Sequence, residues 1–233
     1  MKLLIVTGDD FGMSPGINLG IVEAHRRGIL TSASLMVKRP AATMAVTLWR
    51  ESPTLSLGLH LELDAVAPER VGPEVEDQAA RFRELVGAPP THLDSHHDVH
   101  RDPRVLPEVL AWARRAEVPL RGHSDVRHVS TFYGQWDGET HLEQIGVARL
   151  LRILDEDVGE GMTELTCHPG HIGSGLASSY AAEREVELRT LCDEKVRKAI
   201  LQRGIQLVGF GDLSRLREAA SHGRRDTAAR AQR

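Results

Sequence analysis

Lys2-Leu3-Leu4-Ile5-Val6-Thr7 runs without a break into Gly8-Asp9-Asp10-Phe11-Gly12. The first six residues are apolar on both faces, the pattern of a parallel strand covered from both sides. Ser14-Pro15 then supplies an N-cap and a first helical position. Ile17, Ile21 and Ala24 recur at helical spacing, and Gly28 is a stop. The first thirty residues thus read as strand, polar loop and helix, and the same unit repeats downstream.

Residues 29–37 read as a second strand with Thr31, Ser32 and Ser34 as polar members, and residues 41–50 as a helix ended by Pro53. Residues 55–63 alternate strictly, with leucine at every odd position and Ser56, Gly58, His60 and Glu62 on the other face. In a barrel the leucines would pack on helices and the second face would look inward, placing His60 beside Glu62. A helix over 73–86 carries Val75, Ala79, Phe82 and Val86 on one stripe. Strands follow at 91–95 and 118–121, the first followed by a helix from Asp102-Pro103 towards 116. Residues 132–141 group Phe132, Tyr133 and Trp136 in a loop, either packed on its own aromatics or serving as a sugar-stacking or lid segment. A helix over 142–154 leads to a strand from 162 that runs into a polar turn at His168-Pro169-Gly170-His171. One long helix over 179–203, a last strand over 205–210 and a short closing helix opened by Asp212-Leu213 complete the pattern. About seven strands, each followed by a helix, predict a parallel α/β sheet or barrel, a single domain over residues 1–220. The Arg/Ala-rich tail, residues 221–233, lacks an apolar face and is expected to fray.

Composition removes several function classes. The 233 residues carry a net charge of −4 with basic residues spread along the chain, and aromatics are only 4%. Nucleic-acid binding is therefore not expected. The longest apolar runs are too short to span a bilayer, and Met1-Lys2 opens on a strand with no leader, so a cytoplasmic location is expected. Two cysteines, Cys167 and Cys192, suit a reducing compartment and leave one disulfide as an option.

Ionisable residues gather at the predicted strand ends, where α/β folds place their chemistry. Asp9 and Asp10 end the first strand; buried carboxylates need a partner or a cation. Neighbours on an extended backbone point to opposite sides, so the two aspartates are expected to have different jobs, unless they only close a turn. Thr91-His92-Leu93-Asp94-Ser95-His96-His97-Asp98-Val99-His100 holds four of the 12 histidines and two aspartates. Imidazole and carboxylate suit zinc and other divalent first-row ions. His92, Asp94 and His96 share a face if the strand continues; His96 and His100 share one if it has turned helical. Glu164 lies on the face of His168, whereas Cys167 faces the other way into the core.

Four ordered motifs, Gly8-Asp9-Asp10-Phe11-Gly12-Met13-Ser14, Gly58-Leu59-His60-Leu61, Thr91-His92-Leu93-Asp94-Ser95-His96-His97 and Glu164-Leu165-Thr166-Cys167-His168-Pro169-Gly170, resemble the YdjC/ChbG-like carbohydrate deacetylases over nearly the whole chain. The resemblance implies a distorted, seven-stranded (β/α) barrel of the polysaccharide-deacetylase type. It implies removal of the N-acetyl group from N-acetylglucosamine units of chitooligosaccharides, with acetate released. It also implies one divalent metal ion, magnesium or zinc, held by Asp10, His60 and His96, with Asp9 as base and His168 as acid. A small acetylated sugar is then the partner, and a homodimer the default assembly. Asp98 stands where the family often has a third consecutive histidine, and the segment between Glu62 and Glu74 is short, which predicts an open cleft. The competing readings are another metal hydrolase such as a phosphoesterase, a glycosidase with paired carboxylates, or a non-catalytic sugar- or metal-binding protein. No P-loop or glycine-rich phosphate cradle supports the first.

Overall fold

Strand β1 (Lys2–Phe11) is the hub around which the sheet is built. The computed structural model describes residues 1–173 and 179–218. After β1 come helix α1 (Pro15–Arg27), β2 (Ser32–Leu35), α2 (Ala42–Arg50), β3 (Ser56–Leu61), α3 (Val71–Val86), β4 (Leu93–Ser95) and α4 (Leu106–Arg115). The second half adds β5 (Arg127–Val129), β6 (Gln135–Trp136), β7 (Glu139–Thr140), α5 (Val147–Glu156), β8 (Gly161–Cys167), α6 (Ala182–Leu191), α7 (Glu194–Gln202) and β9 (Ile205–Leu207). Among the described residues, seven strands form one sheet in the order β4-β3-β2-β1-β8-β5, every pair parallel, with β9 also on β1. The expected α/β architecture is present, as a curled parallel sheet that does not close.

β1 forks. One edge pairs β8 from Lys2 to Gly8; the other pairs β9 at Lys2–Leu4 and then β2 from Thr7 onwards. Period-two alternation assigns its side chains to two compartments. Leu4 and Val6 join the main core beneath the helices, with Ile17 and Ile21 of α1 and Leu57 and Leu59 of β3. Leu3 and Ile5 face inward and pack with Val126, Val208, Phe210 and Leu213 as a plug at the bottom of the half-barrel. Above the plug the inward positions turn polar: Ser32, Ser34, His60, His92, Asp94 and Glu164 are all buried. The leucine-out, polar-in reading of β3 holds, and Gly58 is needed there because an added Cβ would lie 2.4 Å from the His92 ring.

Four expectations are corrected. Residues 118–121 make only a bridge from Leu120 to Leu93, because Pro119 has no N–H to extend a ladder, and β5 takes the strand position instead. The 132–141 segment contains the β6–β7 hairpin, turned by Asp137 and Gly138 at positive φ, the Asp-Gly turn that matches strand twist. The helix expected over 179–203 is broken into α6 and α7 where Asp193 caps the second by accepting from the Lys195 amide. A helix from 102 begins only at Leu106, after a 3-10 turn over His96–Arg101. Cys167 is buried in the core, and both cysteines are free thiols. The tail, residues 221–233, lies outside the described residues. Among the described residues no helix is long and apolar enough to cross a membrane.

Candidate active site

Period two would put Asp9 inside and Asp10 outside. A bulge in the β1–β2 register, with Asp10 at φ +67°, undoes that alternation, and both carboxylates line one cleft. The cleft has a volume of about 770 Å³ and opens at the C-terminal ends of the strands. His60 reaches it from the end of β3, His96 from the turn after β4, and His168 from the residue after β8. All five residues expected to carry chemistry are thus brought together.

Each is held from behind. Asp94 accepts from Nδ1 of His60 at 2.7 Å, from the Ser34 hydroxyl at 2.6 Å, and pairs with Arg121 at 2.6 Å. That bond leaves Nε2 of His60 aimed at Oδ1 of Asp10, 3.5 Å away. Nδ1 of His96 lies 3.1 Å from the same oxygen, which is buried and makes no hydrogen bond among the described residues. Burial alone would raise the Asp10 carboxyl; the facing imidazoles and the Arg184 guanidinium hold it well below the usual carboxylate range. Burial would likewise keep His60 neutral, yet Asp94, Asp9 and Asp10 raise it well above its ordinary value. Three ligand atoms of Asp10, His60 and His96 lie within 4.8 Å of one another. The donor set fits a divalent cation: one carboxylate and two imidazoles, one with its tautomer fixed by a carboxylate behind it.

Asp9 takes a different partner. Arg121 donates to its two oxygens at 2.7 and 2.8 Å and also to Glu164 at 3.1 Å, all of them buried. The neighbouring grouping Asp9–His60–Asp94 therefore already contains its cation, the Arg121 guanidinium. His168 lies with Nε2 4.0 Å from Asp9, and its backbone amide donates to Glu187. Burial pushes the His168 imidazole down to about 4 against the pull of Asp9 and Asp10, and pushes Glu187 up to about 8. The Tyr180 hydroxyl donates to Glu187, and Arg184 donates to Asp10 at 2.5 Å and to the His168 carbonyl at 3.3 Å. Tyr133, 38% exposed, stacks on Tyr180 at 4.8 Å and 6°, edge-on to His168.

Other expected neighbours lie elsewhere. Glu62 pairs with Arg39 at 2.7 Å instead of accompanying His60. β4 ends at Ser95, so His92 and Asp94 point inward; His100 turns into the interior to bond the Ser95 hydroxyl. Asp98 lines the cleft and pairs with Arg101 at 3.3 Å. Sequence reasoning missed Arg121, Arg184 and Glu187. A signal for the last two existed: α6 has no apolar stripe and buries Glu183, Arg184, Glu187 and Thr190 along with its leucines.

Residues 3–73 and 64–202 match the family described as YdjC-like protein. A carbohydrate deacetylase of Brevibacillus brevis is 35% identical over 245 residues, covering 90% of this chain and 99% of the relative. A crystal structure of a protein named for cellobiose-phosphate cleavage, from Enterococcus faecalis V583, superposes with a TM-score of 0.81 at 29% identity over 91% of this chain and 98% of that one. A family 4 acetyl xylan esterase from Clostridium thermocellum, in complex with a cobalt ion, shares the fold with a TM-score of 0.57 at 15% identity over 92% and 91% of the two chains.

Proposed function

The chain belongs to the YdjC-like family, and from that membership we propose that it is a metal-dependent carbohydrate deacetylase acting on the N-acetyl group of N-acetylglucosamine-containing oligosaccharides. The observation that carries this reading is the convergence of Asp10, His60 and His96 beside Asp9 at the floor of an open cleft. The carbohydrate deacetylase of Brevibacillus brevis, matched over nearly its whole length, supports the substrate class.

Asp10, His60 and His96 would hold the divalent ion, and Asp94 and Arg184 fix two of those ligands in place. When bound, the ion supplies Lewis-acid polarisation of an acetamide carbonyl and acidifies water. Asp9 is the base. Arg121 grips both of its oxygens, orienting the carboxylate while it accepts the proton of the attacking water. His168, just after the neighbouring strand β8 and beside Asp9, is the acid. Its resting imidazole is neutral at pH 7, so the proton it passes to the leaving amine is one acquired during turnover, with Asp9 4.0 Å away as the source. Glu187 lies 4.0 Å from Nδ1 of His168, and burial keeps its carboxyl protonated at pH 7, so it borders the imidazole without adding charge. The exposed face of Tyr133 offers a platform for the apolar side of a sugar ring.

The test is acetate release from N,N′-diacetylchitobiose by metal-stripped protein, with and without zinc, magnesium or cobalt. Restored release is expected with an added ion. Asp9→Asn is expected to lower turnover at least about 100-fold while the protein still binds metal. Full activity in Asp9→Asn removes the base assignment; no release with any ion removes the substrate assignment.

A further inference from the structure

We propose that Asp64, His96 and His97 form a second cation site, at the mouth of the cleft, for a transition ion such as zinc. One nitrogen from each imidazole and one oxygen of Asp64 lie within 4.8 Å of one another. Nδ1 of His97 is 2.5 Å from Oδ1 of Asp64, and the His96 and His97 rings are 3.8 Å apart at a 33° tilt. Two imidazoles and a carboxylate, open to water on the remaining side, are the donors that zinc and its neighbours take.

Neighbouring side chains in a strand or a regular helix do not lie ring against ring. Here they do because the chain is bent. His97 (φ 53°, ψ 23°) and Asp98 (φ 53°, ψ 27°) are consecutive non-glycine residues in the left-handed region. Such a conformation is strained for a residue with a Cβ and persists only where its surroundings hold it. The bend folds His97 back over His96 and brings it to Asp64, 33 residues earlier in the chain. The contrast with the buried Asp9–His60–Asp94 grouping is chemical. There Arg121 binds both carboxylates, whereas the only ion pair of Asp64 among the described residues is with His97.

His96 belongs to both the inner and the outer cluster. For both ions to bind at once His96 must give one ring nitrogen to each and release its N–H proton to solvent, so an ion at the mouth changes the hold of the inner one. The proposal shares only that residue with the assigned catalytic site, and the two can be tested apart.

Equilibrium dialysis of the untagged, metal-stripped chain against excess zinc at pH 7.5, followed by metal analysis, decides the matter. Two equivalents are expected in the native protein and one in each of His97→Ala and Asp64→Asn, whose side chains are solvent-exposed and whose substitution leaves the core intact. His60→Ala should keep the outer equivalent and lose the inner. A single native equivalent that survives both outer substitutions overturns the proposal, as do two equivalents that survive them. A single native equivalent lost in His97→Ala but kept in His60→Ala supports the outer site and removes the inner assignment instead.

Discussion

Glu187 is buried at the end of a polar chain: Tyr180 and the His168 amide both donate to it, and the absence of water drives its carboxyl up to about 8. Its ordinary value is 4.5. Between those two values the folded protein keeps a proton that the unfolded chain releases. The stabilising contribution of this carboxyl is therefore complete below 4.5 and is lost as pH rises through about 8. Glu187→Gln mimics the neutral acid. In urea unfolding of the metal-free protein it should leave stability at pH 4 nearly unchanged and flatten the decline between about pH 4.5 and 8; an unaltered decline would exclude Glu187 as its source. At this scale the sequence revealed acids and histidines at strand ends but not the cations among them. Arg121 ends a short apolar stretch, and nothing in its spacing marks a guanidinium that will bind three carboxylates. Asp10 reaches the site only through a bulge, which alternation does not foresee.

Helix α1 meets the turn after β8 backbone to backbone. A Cβ at Gly20 would stand 2.5 Å from the Gly170 Cα, and one at Gly16 would stand 2.3 Å from the His171 carbonyl oxygen. Helix propensity alone favours alanine over glycine by roughly 0.5–1 kcal/mol. Here the sign reverses, because backbone atoms cannot rotate away. Gly20→Ala should destabilise the protein by about 1–3 kcal/mol, read as a lower urea midpoint, and should slow turnover by displacing His168 while zinc binding persists. A stability gain would show that the turn can move. Long periodic helices such as α1 and α3 were legible within a few residues of their ends. The break between α6 and α7 was not, since Cys192-Asp193 interrupts no apolar stripe and shows itself only through a capping bond. The Asp137-Gly138 hairpin signal was present but masked by the polarity of its short strands.

The half-barrel is filled in layers, with an apolar plug below, a polar layer of histidines and carboxylates in the middle, and the open cleft above. Phe210 joins the first two, packing with Leu3 and Ile5 while its ring stacks on His92 at 4.1 Å. Phe210→Ala should cost about 3–5 kcal/mol in chemical unfolding and loosen the layer that holds Asp94; a loss under about 1 kcal/mol would mean that the plug closes without it. Strand number and parallel direction followed from the repeated strand–helix unit. The order did not, because β8 and β9, though last in the chain, flank its first strand, and pairing between distant segments leaves no local mark.

That arrangement sets a schedule for synthesis. Asp9 waits 112 residues for Arg121, and Asp10 waits 174 for Arg184. At about 5–20 residues per second, the second guanidinium leaves the ribosome roughly 9 to 35 s after the carboxylate it neutralises. Until Arg121 emerges, β1 ends in two carboxylates without their guanidiniums, and the stretches that β8 and β9 will cover have no partner. The nascent chain is thus kept from burying its first strand prematurely by the same acids that the finished site uses.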